Sequence, residues 1–204
     1  KLAEYLERLE GTSSRLEMTR ILAELFKETT PEEARLVAYM TQGRLGAAYR
    51  SPDFGVADKQ MLKALGPKAN ELFRKLGDLG KTVEELKSQK SKGKSTSQNL
   101  KVIDVYEKLM KIAEAGGTGS QEVKIKLIVE LVNQLTDKEA KYAVKMILGK
   151  LRTGFSDMTV LDALSWMITG DKSKREEIEN LYNVRADLGE IAERVKRDNG
   201  VKGE

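Results

Sequence analysis

Apolar positions along this chain recur three and four residues apart, and the stretches that carry them are long. Leu16, Met18, Ile21, Leu22, Leu25 and Phe26 fall on one helical face. Thr30-Pro31-Glu32-Glu33 follows. It supplies a capping hydroxyl, proline at the first helical position and glutamate at the third, which together predict a helix start. The next stripe, Leu36, Val37 and Met40, should end near Gly43. No segment alternates with the two-residue period of a strand, and β-branched clusters are few. The expected fold class is all-α.

The same pattern is written twice. Glu24-Leu25, Thr30, Glu33-Ala34, Met40, Gly43 and Leu45 return as Glu130-Leu131, Thr136, Glu139-Ala140, Met146, Gly149 and Leu151, 106 positions later without a gap. Arg20, Arg35 and Arg44 return as Lys126, Lys141 and Lys150. Leu62, Ala64 and Leu65 match Leu161, Ala163 and Leu164 at an offset of 99, so the turn-rich loop of the first copy is seven residues longer. Loops tolerate such differences better than helices do. Further on, Gly77-Asp78-Leu79-Gly80 is echoed by Asp187-Leu188-Gly189. The polar run from Ser88 to Asn99 reads as a connector. The chain thus divides into a first repeat of about 1–87, a connector of about 88–99 and a second repeat of about 100–204. The expectation is two pseudo-two-fold-related helical halves packed as one domain. A partner with its own approximate two-fold symmetry, such as a DNA duplex, suits that design.

Composition narrows the chemistry. The 204 residues suffice for a sizeable core, and 40% hydrophobic with 33% charged residues fits a globular protein. There is no cysteine and no histidine. Disulfides, thiolate or imidazole metal sites and serine–histidine hydrolysis are thereby excluded. Aromatics are 5%, too few for a base-stacking platform. The net charge of +4 tilts toward an anionic partner. No run of about 18 apolar residues predicts a membrane span, and no signal peptide is visible, so a cytoplasmic, intracellular setting is expected. The chain starts at Lys1 rather than Met, which points to a piece of something longer.

The richest segment runs from Gly149 to Leu161. Gly149-Lys150-Leu151-Arg152-Thr153-Gly154 forms a turn, and a new helix should begin near Ser156 to Thr159. Glycines let a ligand approach the main chain, helix starts offer N–H groups, and Lys150 and Arg152 add charge, a combination suited to phosphate. Gly43-Arg44-Leu45-Gly46 stands in the equivalent place of the first copy. The competing explanation is that the glycines only end helices and the cations are merely solvated. Before each repeat helix lie Gly11-Thr12-Ser13-Ser14-Arg15 and Gly116-Gly117-Thr118-Gly119-Ser120, where hydroxyls either cap the helix or bind phosphate. Trp166 shares a helical face with Leu161 and Leu164 and is expected in the core. No phosphate-binding loop, dinucleotide fingerprint or adenylating lysine is visible.

These blocks in this order carry a resemblance. Gly149-Lys150-Leu151-Arg152-Thr153-Gly154 with Thr159-Val160-Leu161-Asp162-Ala163-Leu164 resembles the signature of the N-terminal DNA-binding domain of ATP-dependent DNA ligases of the archaeal and eukaryal replicative type. Phe54-Gly55-Val56-Ala57-Asp58-Lys59 with Leu62-Lys63-Ala64, the two Asp-Leu-Gly blocks and Arg15-Leu16-Glu17-Met18 are similar to further family blocks. The resemblance implies an all-helical domain lying on the minor groove of nicked double-stranded DNA. It implies that the chemistry, with ATP and Mg as cofactors, belongs to nucleotidyltransferase and oligonucleotide-binding domains absent from these 204 residues, so this piece would bind no cofactor and be inactive alone. It implies DNA contacts at Gly149, Lys150, Arg152, Gly154 and Thr159, and also at Ser13, Ser14, Arg15, Thr118, Gly119 and Ser120. Arg44 joins them through the internal repeat, and Lys59 by its place beside a family block. A sliding clamp is a further implied partner. In some archaeal members the inter-half loop carries Gln-Lys-Ser followed by two phenylalanines that dock on it. Here Gln89-Lys90-Ser91 is followed by Lys92-Gly93, so clamp binding through the 88–99 loop would need another anchor.

The leading expectation is therefore sequence-independent binding of nicked duplex DNA within a ligase that seals nicks in replication and repair. The rival is a helical-repeat scaffold that binds proteins through an apolar groove. A helix-turn-helix repressor fits less well, because the helix beginning near Thr159 is mostly apolar.

Overall fold

Thr30 and Thr136 open their helices by the same reciprocal bonds. The Glu33 N–H donates to Thr30 Oγ1 at 3.2 Å while the Thr30 N–H donates to Glu33 Oε2 at 3.0 Å; Glu139 and Thr136 repeat both distances. A computed structural model describes residues 1–91 and 98–199, and among these there are helices and no strand. Residues 92–97, half of the expected connector and clamp-docking loop, lie outside the described residues, as do 200–204.

In chain order the helices are α1 (Leu2–Glu10), α2 (Arg15–Lys27), α3 (Pro31–Met40), α4 (Asp58–Leu65), α5 (Pro67–Leu76), α6 (Leu79–Ser91), α7 (Val102–Glu114), α8 (Ser120–Gln134), α9 (Asp137–Ile147), α10 (Asp157–Thr169), α11 (Arg175–Val184) and α12 (Leu188–Asp198). They sort into two compact units, and the sorting does not follow chain order. One unit takes residues 1–51 and 152–204, the other 52–151. The first, interrupted unit joins α1–α3 to α10–α12. Within it α3 packs on α12, α2 on α10, and α1 on α2. The second, continuous unit holds α4–α9. Within it α9 packs on α6, α8 on α4, and α7 on α8. Each unit therefore draws one set of three helices from either side of the connector, rather than all from one repeat.

The contacts inside the two units correspond residue by residue. Arg35 pairs with Glu193 at 2.9 Å in the interrupted unit, and Lys141 with Glu84 at 3.0 Å in the continuous one. Lys196, 1% exposed, donates to the carbonyls of Phe26 at 2.5 Å and Lys27 at 2.9 Å, ending α2. Lys87 donates to the carbonyl of Val132 at 2.6 Å near the end of α8. Unpaired carbonyls at a helix C-terminus favour a cation. Burial nevertheless pulls the pKa of both lysines below the usual lysine range.

The two Asp-Leu-Gly blocks also acquire a physical reason. Asp78 and Asp187 accept backbone N–H groups of Lys81 and Glu190, at 2.7 and 3.1 Å, and so cap α6 and α12. Leu79 and Leu188 are buried behind them. Gly80 and Gly189 let the next helix come close: a Cβ at Gly189 would overlap the Tyr39 ring, and one at Gly80 would lie 2.9 Å from Lys145 Cγ. Tyr39 donates to Asp187 at 2.5 Å, and burial, followed by that bond, raises its pKa.

The core of the interrupted unit centres on Leu22, Phe26, Leu161 and Leu164, each fully buried. That of the continuous unit centres on Met61, Leu109, Ile112 and Ile128. Trp166 departs from expectation. It is only half-buried, and the Arg20 guanidinium lies 5.6 Å from its ring centroid, so it packs under a cation at the edge of the core.

Candidate nucleic-acid interface

The two glycine-flanked basic turns have one geometry. Gly43 at φ 70° donates its N–H to Met40 O at 3.0 Å, and Arg44 N–H donates to Tyr39 O at 3.1 Å. Gly149 at φ 65° donates to Met146 O at 3.0 Å, and Lys150 N–H donates to Lys145 O at 2.8 Å. Both helix ends are closed by a glycine in the left-handed region, which a side chain would strain. Each turn then presents its cation to an aspartate in the first turn of another helix. In the interrupted unit Arg44 lies 3.0 Å from Asp157 at the start of α10. In the continuous unit Lys150 lies 2.7 and 2.8 Å from the two oxygens of Asp58 at the start of α4.

These pairs differ from the bare cations that the sequence suggested. An acid in the first turn of a helix complements the helix dipole, and the basic turn then finds it. Lys150 keeps 51% of its side chain exposed and can exchange Asp58 for a phosphate at little cost. Arg44 keeps 26%, and Asp157 is held from its other oxygen by the Tyr182 hydroxyl at 2.6 Å. Burial and that bond push Tyr182 up to about 12. Lys59, one residue past Asp58, is exposed.

The 149–154 turn crosses from one unit to the other, since Gly149 and Lys150 close the continuous unit and Arg152 to Gly154 open the return to the interrupted one. Arg152 is exposed and has no ion-pair partner among the described residues. Thr153 is buried and donates to Thr41 O at 3.0 Å, which pins the turn beneath it. Gly154 is exposed at φ 76°. Thr159 differs from the other expected contacts in being buried: the residue is 2% exposed, inside the first turn of α10.

The hydroxyl-rich helix starts differ from each other. Ser13, Ser14 and Arg15 are exposed, but Ser14 is already engaged as the cap of α2, accepting the Glu17 N–H at 3.3 Å. Thr118 and Gly119 are exposed and Ser120 half-buried; Gly119, at φ 79°, precedes α8, whose start has no side-chain cap. That start leaves main-chain donors open to a ligand.

Local reading of the sequence missed one cluster altogether. Asp162 of α10 is almost fully buried, yet it meets Arg15 of α2 at 3.1 Å, Lys172 at 3.1 Å and Arg175 of α11 at 2.9 Å. The available signal was a carboxylate inside the apolar run Val160 to Leu164, because a buried charge requires partners. Charge is also shared unequally. The continuous unit has 19 Lys and Arg against 13 Asp and Glu, while the interrupted unit has 17 against 19. General attraction for an anion therefore resides in the continuous unit, and the interrupted unit can offer only local clusters.

Comparison with known proteins agrees with this arrangement of blocks. Residues 1–165 match the family described as DNA ligase N terminus. The chain is 42% identical over 205 residues to DNA ligase 2 of Thermofilum pendens, covering 94% of this chain and 34% of the relative. It is 38% identical to the DNA ligase of Cenarchaeum symbiosum, over 95% of this chain and 34% of the relative. It is 39% identical to the DNA ligase of Staphylothermus marinus, over 94% of this chain and 35% of the relative. The chain thus spans about a third of the length of these relatives. With four-fifths of its residues inside the matched region, this chain belongs to the DNA ligase N-terminus family.

Proposed function

We propose that this chain binds nicked duplex DNA without sequence preference, through phosphate and sugar contacts along the minor groove, as the DNA-binding part of an ATP-dependent DNA ligase. The observation that carries the reading is the basic corner built the same way in both units, Gly43-Arg44 and Gly149-Lys150, with the exposed Arg152 two residues after the second. Each corner sets a cation on a glycine-closed helix end, half-buried at Gly43-Arg44 and exposed at Gly149-Lys150, and a cation held there suits a phosphate oxygen. Phosphates are alike at every base pair, so affinity without sequence discrimination follows. Sealing of the nick, with ATP and Mg, would fall to domains that these residues do not include. A protein-interaction scaffold is not favoured, because the repeated feature is a cationic corner rather than an apolar groove.

The test is titration of the chain with fluorescent nicked duplex across a range of salt concentrations. Lys150→Ala with Arg152→Ala should weaken binding and lower the slope of log affinity against log salt by about 2, one for each phosphate that is no longer neutralised. The helical content should be unchanged. Wild-type affinity and slope in the double variant would refute the assignment of this corner.

A further inference from the structure

The cluster around Asp162 has a role to which the basic corners do not extend. Asp162 is a carboxylate in the middle of the apolar stripe of α10, with 3% of its side chain exposed. Three cations reach it from three elements: Arg15 from the first turn of α2, Lys172 from the loop after α10, and Arg175 from the first turn of α11. Arg175 is 17% exposed and is shared with Glu179 at 2.5 Å, so it faces inward. Arg15 and Lys172 differ from it, being 60% and 55% exposed.

Both outward cations sit 3.1 Å from the same oxygen, Asp162 Oδ2, so their nitrogens lie no more than about 6 Å apart. That spacing lets a single phosphate group meet both. Arg15 uses one of its five N–H donors on Asp162, which leaves a fork free for a phosphate.

The loop that brings Lys172 back is fixed as well. Gly170 turns it at φ 76°. Ser165, fully buried on α10, donates to Asp171 O at 2.8 Å and accepts the Lys174 N–H at 3.0 Å. Asp171 accepts from Thr169 and from the Ser173 N–H, both at 2.9 Å. The loop is therefore set before any ligand arrives, which lowers the ordering cost of binding.

We infer that Asp162 is a positioning residue that holds Arg15 and Lys172 as a preformed clamp for one backbone phosphate of the DNA. The inference rests on the DNA-binding reading above and assigns to the interrupted unit, whose acids outnumber its bases, its own organised phosphate contact. Lys172 and Asp162 thereby join Arg15 as determinants of binding.

The sign of one substitution tests it. Asp162→Asn removes a negative charge beside two cations, so simple charge counting expects tighter binding. Positioning expects weaker binding, because the two cations lose the group that aligns them. In the salt titration with nicked duplex, Asp162→Asn should bind about fivefold weaker or worse. In an Arg15→Ala, Lys172→Ala background the same change should have no further effect. Thermal unfolding followed by circular dichroism reports whether Asp162→Asn remains folded. If it does not, the pair Arg15→Ala and Lys172→Ala decides in its place: reductions in affinity that fall short of additive support one shared phosphate, and strictly additive reductions overturn it. Unchanged or tighter binding by a folded Asp162→Asn also overturns the inference, while the corner variants would still test the wider reading. A wild-type chain that fails to bind nicked duplex would remove that reading and this inference with it.

Discussion

At the scale of single residues, the two Asp-Leu-Gly blocks show that one sequence pattern can carry unequal energies. Gly189 faces the Tyr39 ring, which is rigid and tied to Asp187. Gly80 faces the stem of Lys145, which can swing away. Alanine at either position gains about 0.5–1 kcal/mol of helix propensity. At Gly189 that gain is outweighed by an overlap costing about 1–3 kcal/mol or more. Gly189→Ala should therefore lower the melting temperature clearly, and Gly80→Ala should leave it near wild type. Equal shifts in calorimetry would show that the close approach of α12 to α3 does not depend on the missing Cβ. The same contrast explains what could be read beforehand. The Asp-Leu-Gly echo was visible as letters, but the ring that makes one glycine indispensable lies 150 positions away.

Among the elements, the most legible features were those decided within a few residues. The Thr30 and Thr136 caps, the glycine stops at Gly43 and Gly149, and the apolar stripe of α2 from Met18 to Phe26 formed as expected, because propensity and capping act over one or two turns, while Leu16 at the start of that stripe stays exposed. The choice of partner helix was not legible. An offset of 106 says which helices are alike; it does not say whether α3 packs on its own copy's helices or on α12. The ion pairs were hidden for the same reason, since Lys150 and Asp58 are 92 positions apart. The lysines that end α2 and α8 belong at this scale too. Lys196→Met keeps the buried stem but removes the ammonium from the Phe26 and Lys27 carbonyls. Leaving those carbonyls unpaired should cost about 1–3 kcal/mol in urea unfolding. A stabilised variant would mean that burying the ammonium costs more than its bonds return.

For the whole molecule, the division into a continuous and an interrupted unit makes the consequential prediction. Residues 52–151 contain every helix of their unit, so that segment should fold alone with cooperative thermal unfolding. Residues 1–51 lack α10 and α12, on which α2 and α3 pack, and should be largely unstructured in isolation. Mixing 1–51 with 152–204 should restore helical signal beyond the sum of the two. Circular dichroism of the three pieces checks this, and a fully helical 1–51 would show that α1–α3 need no distant partner. Arg15, Arg44, Arg152 and Lys172 all lie in the interrupted unit, so the separate continuous unit should bind duplex with a smaller salt slope than the full chain.

Because the interrupted unit is completed last, its birth on a ribosome is awkward. The apolar face of α3, with Val37 and Ala38, emerges long before α12 exists to cover it. At typical rates of elongation that wait lasts roughly ten to thirty seconds. During it the continuous unit can finish folding, while the nascent N-terminal segment keeps its apolar residues uncovered and open to aggregation.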